Sequence, residues 1–271
     1  MSGINLPKAI LDRANLKNSI FSSAGKDGRV GTLDDEIANL RGANLTNAHL
    51  TGALMSYVSL EGSNLMGASL DRANLANAQL NNSNLSSARL IGAQLQQAML
   101  AGASLTGANL GVVQLSQANL VGANLGQVKA VSADLTGSDL AGSTWYGADM
   151  REANLSNTNL TLANLSFAQL QGANLSGAIL TNANLENANL SAADLTGANL
   201  AGANFQGVIF LLRPFLGEEQ FLAARPIADS VAKIKGVNFA QVRNLTSTQI
   251  DFICAHDGIH PQFDTPPVSL R

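Results

Sequence analysis

The chain has 271 residues, 46% of them hydrophobic and only 4% aromatic, with 16 Lys and Arg against 19 Asp and Glu and a formal net charge of −3 at pH 7. This balance provides no basic stripe, so direct nucleic-acid binding is not expected. No run of about 18 apolar residues predicts a membrane span, and Met1-Ser2-Gly3-Ile4-Asn5 shows no charged-then-apolar leader. The chain has one cysteine, which excludes an internal disulfide and favours a reducing, cytoplasmic location.

Residues 1–21 carry a short five-residue repeat. Four apolar residues, from Leu6 to Phe21, are spaced by five positions. The main repeat begins at Leu40, which follows Phe21 by 19 residues instead of 20. The spacing therefore predicts one N-terminal coil in a phase separate from that of the main repeat.

The segment 22–37 interrupts the repeat. It contains three glycines and an acidic run, a composition that predicts an inserted loop. Loops on a rigid scaffold often carry recognition, so two interpretations stay open: a surface loop without a task, and a loop that contacts a partner. The charged residues that the second interpretation places at the contact are Lys26, Asp27, Arg29, Asp34 and Asp35.

From Leu40 to Phe210 the chain repeats every five residues. Of 35 consecutive positions spaced by five, 29 are Leu, and the residue two positions earlier is Ala in 26 of the 35 repeats. A helix requires apolar spacings of three and four, and a strand requires alternation, so a spacing of two and then three fits neither for long. We expect three extended residues, such as Ala198-Asn199-Leu200, followed by a two-residue corner, where Gly in 16 repeats suits a bent backbone.

Four such five-residue sides would close one square coil. Coils stacked at the inter-strand spacing of about 4.8 Å would make residues 38–210 a rod about 42 Å long, filled by Leu and Ala. Two interior positions depart from Leu in size, because Ala130 is smaller and Trp145 is larger. One hypothesis is that Trp145 fills the space beside Ala130. The alternative is that it turns outward beside Tyr146 and marks a binding spot.

Two of the four outer faces differ in chemistry. The face from Asn44 to Asn204 is a ladder of small neutral polar residues, for which we expect amide hydrogen bonds along the rod axis. The face that begins at His49 is the most varied, and a partner that recognises charge is expected there, although an ordinary solvated face is the alternative. The candidate contacts on that face and its edge are Arg89, Lys129, Asp149 and Arg151.

After the main repeat, residues 211–271 predict a C-terminal capping region. Helices are predicted around Gly217–Ala224 and Ile227–Lys235, and Val237-Asn238-Phe239 predicts a brief return to the extended repeat. Such a region is expected to cover the last Leu layer and the unpaired strand edges of the rod.

A further short helix is predicted near the end of the chain. Thr246-Ser247-Thr248-Gln249 has the S/T-x-x-E/Q pattern of a capping box, which predicts a helix through Cys254. The tail Pro261–Arg271 is expected to be irregular.

Residues with metal-binding or nucleophilic character cluster only at Cys254, His256, Asp257 and His260. Their spacing matches no zinc motif, and a helix end followed by an Asp-Gly turn explains them more simply. The rod contains no phosphate-binding Gly loop, no nucleophile elbow and no H-E-x-x-H motif, and a convex rod offers no pocket. We therefore expect no catalytic residue, metal or cofactor, and the chain is not expected to be an enzyme.

The A-N-L-x-G unit, complete at Ala198-Asn199-Leu200-Ala201-Gly202, resembles the A-(D/N)-L-x-x signature of the pentapeptide-repeat family. The resemblance covers about two thirds of the chain. It implies an all-β solenoid, the right-handed quadrilateral β-helix of that family, with the partly helical C-terminal cap predicted above. Some members resemble a DNA duplex in shape and charge and bind DNA gyrase, and others act in bacterial signalling or development through protein contacts.

We therefore expect a non-enzymatic scaffold that mediates protein-protein interaction. The alternative is a DNA-mimicking protein that binds or protects DNA gyrase, although Asp134, Asp139, Asp149 and Asp194 are few and scattered for a mimic. A third hypothesis is a metal-dependent activity at Cys254 and the nearby histidines. The identity of the partner and the oligomeric state, a dimer included, stay open.

Overall fold

The computed structural model describes residues 3–23, 36–211 and 231–260. In the main repeat, each extended piece pairs in parallel with the equivalent piece of the next coil, as Asp139 does with Asn159. Each piece has one bridged residue, so it is too short to be a regular strand, and the strands in the described part are only β1 (Ser22–Ser23) and β2 (Glu36–Ile37). Each coil contains four bridged residues, which gives it four sides and makes the chain a β-solenoid.

The bridged residues form four faces, and successive members of a face come from successive coils. Face 1 runs from Asn39 to Asn199, face 2 from Asn44 to Asn204, face 3 from His49 to Ile209 and face 4 from Leu54 to Asp194. Hydrogen bonds between coils follow one pattern, in which Leu65 N–H donates to Asn84 C=O at 2.7 Å and Asn84 N–H donates to Ser63 C=O at 2.9 Å. The backbone polar groups of the sides are thus paired along the rod axis.

The corners are four-residue turns. At one of them, Ala43 N–H donates to Leu40 C=O at 3.0 Å, and Gly42 has a φ of 63°. A positive φ at the third residue is typical of a type II turn. Each corner has two central residues, and the second of them has a positive φ, between 49° and 71°, in every repeat from residue 42 to residue 207.

The interior of the rod is filled by the Leu column and the Ala column, whose side chains are almost completely buried. Where Ser or Thr replaces the inward Ala, its hydroxyl bonds to the preceding turn. Ser83 Oγ donates to Leu80 C=O at 2.7 Å, and Thr158 Oγ1 donates to Leu155 C=O at 2.7 Å. The buried hydroxyls therefore have partners inside a narrow core.

Trp145 lies in this interior and is completely buried, as is Ala130. The indole Nε1–H donates to Ser143 Oγ at 2.8 Å, and Ser143 Oγ in turn donates to Leu140 C=O at 2.6 Å. The alternative of an outward Trp145 is therefore wrong, since the core supplies both space for the ring and an acceptor for its N–H. Compensation for the small Ala130 stays a prediction.

The N-terminal repeat continues the same four faces. Asn5 pairs with Asn39 and Ile20 pairs with Leu54, in parallel. The sequence separation within these pairs is larger than in the main repeat, and the additional residues lie in the segment 22–37, at the corner between faces 4 and 1. Strands β1 and β2 pair antiparallel at the base of that segment. The difference in sequence phase is thus an insertion at one corner, and the stacking continues in register across it.

The coil also continues after the end of the main repeat, because Lys233 pairs with Asp194 on face 4. The helix expected at Ile227–Lys235 is wrong over its described part, residues 231–235. Ala232 and Ile234 are both buried, and they lie two positions apart, as the inward residues of the repeat do. Burial of this pair outweighs the local preference for a helix. The helix expected at Gly217–Ala224 lies outside the described residues, as does the tail 261–271.

The extended repeat returns at Val237-Asn238-Phe239 and is followed by helix α1 (Ser247–Ala255). The predicted capping box is present, since Thr246 accepts the backbone N–H of Gln249 and the Gln249 side chain accepts the N–H of Thr246. The Gln249 amide also donates to two carbonyls of the coil, Phe205 C=O at 3.0 Å and Val208 C=O at 2.9 Å. In the described part of the chain, no helix is long and apolar enough to span a membrane.

Candidate protein-binding surfaces

Charged side chains concentrate on face 3 and on the adjoining corner between faces 3 and 4. Four of the five Lys and Arg residues in 38–210 lie there. We call this set the charged stripe, and it consists of Asp71, Arg72, Arg89, Lys129, Asp149, Arg151 and Glu152. The stripe therefore mixes both signs of charge along one side of a rigid rod.

Two arginines of the stripe are held by carboxylates. Arg89 Nη2 lies 2.9 Å from Asp71 Oδ2, and Arg151 donates through Nε and Nη2 to the two oxygens of Asp149, both at 2.8 Å. The hydrogen bonds from Arg151 hold the pKa of Asp149 below its ordinary value. Because these pairs are exposed, their main effect is to fix side-chain direction, and they add little stability.

The other two cations of the stripe, Arg72 and Lys129, are exposed and form no ion pair with any residue of the described ranges. Arg72 borders a shallow depression of about 310 Å³. The residues that line this depression are Thr51, Asp71, Arg72, Arg89 and Ile91. Within the described ranges, the stripe thus offers two cations without an ion pair and one weakly concave spot.

The predicted contact residues divide into two groups. Arg89, Lys129, Asp149 and Arg151 lie together on the charged stripe, in line with the sequence pattern. The five contacts predicted in the loop, from Lys26 to Asp35, lie outside the described residues.

The C-terminal cluster of Cys254 and the nearby histidines is organised by the helix end. His256 Nδ1 lies 2.8 Å from Phe252 C=O, and its ring stacks on Phe252 with centroids 4.1 Å apart. Partial burial raises the pKa of the Cys254 thiol, which disfavours the reactive thiolate. Within residues 3–23, 36–211 and 231–260, no three His, Cys, Asp or Glu residues come together as a metal site would require.

Face 2 lacks most of the expected amide ladder. Between Asn44 and Asn204, the one amide hydrogen bond that runs along the axis in the described structure joins Asn204 Nδ2 to Asn184 Oδ1 at 2.8 Å. Most of these side chains bond along their own chain, as when Asn44 Oδ1 accepts the N–H of Thr46 at 3.1 Å. This Asx turn satisfies the first N–H of the corner, which explains the preference for Asn in the middle of the repeat.

Sequence reasoning missed an apolar cluster on face 2. It consists of Tyr146, Leu162 and Phe167, which are 46%, 66% and 46% exposed. Leu162 and Phe167 occupy second corner positions, where the repeat mostly has Gly or Asn. Large apolar residues at the second corner position were the feature of the sequence that could have predicted this cluster.

A family model confirms the pattern of the repeat. The pentapeptide-repeat model matches eight copies in this chain, over residues 38–72, 68–107, 108–144, 131–166 and 168–207. The chain belongs to the pentapeptide-repeat family.

Solved pentapeptide-repeat structures are similar to this chain. HetL, a protein involved in heterocyst differentiation regulation from the cyanobacterium Nostoc sp. strain PCC 7120, is 31% identical over 77% of this chain and 87% of its own, with a TM-score of 0.70. QnrB1, a plasmid-mediated fluoroquinolone resistance protein, is 19% identical over 76% of this chain and 88% of its own, with a TM-score of 0.35. A thylakoid-lumen protein of Arabidopsis thaliana is 22% identical over 62% and 79%, with a TM-score of 0.18. No curated protein matches the chain.

This pentapeptide-repeat rod presents its charged and apolar side chains on different faces. The charged stripe follows face 3, whereas the apolar cluster surrounds Asn164 on the adjacent face 2. Since the backbone of the coils is paired throughout both faces, these side chains are displayed on a rigid support.

Proposed function

We propose that this pentapeptide-repeat protein is a non-enzymatic scaffold that binds a partner protein through the charged stripe. The observation that carries the proposal is the concentration of four of the rod's five cations on one face and its edge. Two of them, Arg89 and Arg151, are oriented by ion pairs, while Arg72 and Lys129 form none with the residues that the structure describes. A partner with carboxylates at matching positions would be complementary in charge to the stripe, and these contacts would fix its register along the rod.

The similarity to HetL supports this proposal. HetL is described as a pentapeptide repeat protein involved in the regulation of differentiation, and the two chains share 31% identity over most of their lengths. Regulation by a protein of this shape is consistent with binding to another protein. A cytoplasmic location and a right-handed coil are further parts of the proposal, which rest on the single cysteine and on the family resemblance.

The gyrase-binding mimic is the less favoured alternative. A duplex mimic requires dense, unpaired acidic rows, whereas Glu61, Asp71 and Asp149 are paired with arginines and Asp194 is 3.5 Å from Lys233. A supercoiling assay with purified gyrase tests this point. We expect neither inhibition nor protection from a poison, and a clear effect of the protein on gyrase would favour the mimic instead.

Affinity capture from native lysate tests the scaffold proposal. The immobilised full chain is compared with Lys129→Gln and Arg72→Gln, which each remove one free cation of the stripe. Arg41→Gln is the matched control, because it removes the same charge at the corner between faces 1 and 2, where Arg41 pairs with Glu61.

We expect a protein retained by the wild type and by the control to be lost or weakened in both stripe variants. Retention of the same proteins by all four chains would show that the stripe is not the binding surface. Failure of the wild type to retain any protein would contradict the scaffold itself.

A further inference from the structure

The apolar cluster of face 2 is arranged around one side of one coil. Leu162 lies at the corner between faces 1 and 2, and Phe167 lies five residues later at the corner between faces 2 and 3. Tyr146 lies on the same corner as Phe167, one coil earlier, and the two rings meet edge to face with centroids 5.5 Å apart. The coil thus carries one aliphatic projection on one corner and an aromatic pair on the other.

Local backbone geometry disfavours two of these residues. Leu162 and Phe167 both have a φ of 60°, a conformation in which most side chains meet a steric penalty that Gly avoids and Asn tolerates. Gly or Asn occupies 22 of the 34 second corner positions between 42 and 207. Both corners of this side therefore carry large apolar side chains in spite of the cost in backbone conformation.

The surface around the cluster is almost uncharged. From Asn64 to Gly207, the residues of face 2 and its two corners include a single charge, Glu186. Part of the polar groups there already has partners within the chain, as when Asn164 Oδ1 accepts both the N–H and the hydroxyl of Ser166, at 3.1 and 2.6 Å. Desolvating this face therefore buries at most one charge per chain, and the Asn NH2 groups that point outward can donate to polar groups of a docked protein.

We propose that face 2 binds a second copy of this chain, with the apolar cluster as the anchor of the interface. A two-fold axis parallel to the rod places the corner between faces 1 and 2 of one copy against the corner between faces 2 and 3 of the other. Each Leu162 then meets the partner's Phe167 ring, and each Tyr146 meets the small residues Ala141 and Gly142. The contacts are reciprocal, as an isologous interface requires, and large side chains oppose small ones.

The available area sets the expected strength of the dimer. Nine coils make face 2 about 43 Å long, and a side with its corners is about 12 Å wide. Two such faces in contact remove on the order of 1,000 Å² from water, which is the lower limit for a specific interface. Because the area is small and the aromatic and Leu anchors are few, we expect a reversible dimer that dissociates in the micromolar range.

Sedimentation equilibrium of the full chain, from about 1 μM to about 200 μM, tests the proposal. The variants Leu162→Asn and Phe167→Asn each introduce Asn, which tolerates positive φ better than Leu or Phe does. We therefore expect both variants to fold and to be slightly more stable than the wild type. Val112→Asn is the matched control, because Val112 is 54% exposed with a φ of 49° at the corner between faces 3 and 4.

We expect the wild type and Val112→Asn to dimerise alike, and each face 2 variant to weaken the dimer by about tenfold or more. Circular dichroism and the melting temperature of each chain verify that the variants fold. A wild type that stays monomeric over the whole range overturns the proposal, as does equal dimerisation of all four chains. Binding of neutral phospholipid vesicles in place of self-association would assign the cluster to a lipid surface and also overturn it.

Cysteine cross-linking tests the orientation of the two copies in a Cys254→Ser background. Leu162→Cys and Phe167→Cys proteins are oxidised separately and as a mixture. The proposed axis predicts that disulfide-linked dimers form in the mixture and not in the separate samples. Efficient cross-linking of Leu162→Cys alone would overturn the proposed axis.

Discussion

Ser143→Ala is the sharpest test of how the core accommodates its one tryptophan. Ser143 Oγ accepts the indole N–H of Trp145 at 2.8 Å, and the Trp145 side chain is completely buried. Ala is the usual residue at inward positions of this repeat, so the substitution fits sterically. Its main effect is to leave the indole N–H buried without an acceptor.

The expected cost follows from that lost acceptor. A buried donor left unsatisfied costs about 1–3 kcal/mol, whereas loss of an ordinary hydrogen bond costs about 0.5–1.5 kcal/mol. Leu140 C=O, which accepts the Ser143 hydroxyl, still accepts the Ser143 backbone N–H at 3.1 Å. No carbonyl is therefore orphaned, and the penalty is that of the indole alone.

Ser83→Ala is the matched control. The Ser83 hydroxyl donates to Leu80 C=O at 2.7 Å, and Leu80 C=O also accepts the Ser83 N–H, as in the Ser143 turn. We expect Ser143→Ala to lower the free energy of unfolding by about 1–2 kcal/mol more than Ser83→Ala does. Urea denaturation followed by circular dichroism measures both, and Trp145 fluorescence reports the local environment of the same ring.

A double-mutant cycle with Trp145→Phe isolates the interaction. If the indole bond carries the effect, Ser143→Ala costs little in the Trp145→Phe background, since no donor is then left unpaired. Equal costs for Ser143→Ala and Ser83→Ala would refute the reasoning. So would a Ser143→Ala cost that is unchanged when Trp145 is replaced.

Three further changes test other parts of the fold. Ala130→Leu is expected to lower the free energy of unfolding by about 1–3 kcal/mol through overpacking, and so to lower the melting temperature, because we expect Trp145 to occupy the adjacent space; a clear rise in melting temperature would contradict this. Arg151 lowers the pKa of Asp149 in the folded chain, so the ionised carboxylate stabilises the fold above its unfolded pKa of about 3.9 and loses this effect as pH falls through the lower folded pKa. In thermal melts, Asp149→Asn should therefore be less stable than wild type near about pH 6, and the difference should shrink as pH falls through the lowered folded pKa; a pH-independent difference would exclude this linkage. Gln249→Leu removes two hydrogen bonds between α1 and the coil and the capping bond that the Gln249 side chain accepts from the Thr246 N–H. It should cost about 1–3 kcal/mol, as measured by urea denaturation; unchanged stability would show that this amide does not hold the helix on the rod.

The five-residue period predicted the solenoid, its four faces and its interior because the direction of each side chain follows from its place in the repeat. The same rule identified the charged stripe, since Arg89, Lys129 and Asp149 occupy the same side in three different coils. It could not identify the ion pairs. Arg151 bonds to Asp149, two residues earlier in the same five-residue side, whereas Arg89 bonds to Asp71 in the preceding coil. The choice of partner depends on the side-chain rotamer, which the repeat does not determine.

The errors arose where local preference and burial disagree. Residues 231–235 were expected to be helical, yet Ala232 and Ile234 take the two inward positions of another coil. The Asn column was expected to bond between coils, but the amide reaches the N–H two residues later more easily because that group lies in the same turn. The apolar cluster was missed because exposed Leu and Phe in a second corner column run against the pattern of the repeat.

The four-sided coil separates two kinds of surface that are only five residues apart in sequence. Face 3 carries the charged stripe and face 2 is nearly neutral, so the two proposed contacts should respond to salt in opposite ways. Raising the salt concentration screens exposed charges over a Debye length of about 10 Å at 0.1 M and about 3 Å at 1 M, and so should weaken a partner bound to face 3. A dimer formed through face 2 buries apolar and neutral groups and should keep or gain affinity, since kosmotropic salts strengthen apolar burial. Sedimentation in ammonium sulfate, together with affinity capture in the same buffer, distinguishes the dimer contact from the partner contact. If salt dissociates the dimer as well as the partner, both contacts would be placed on the charged stripe.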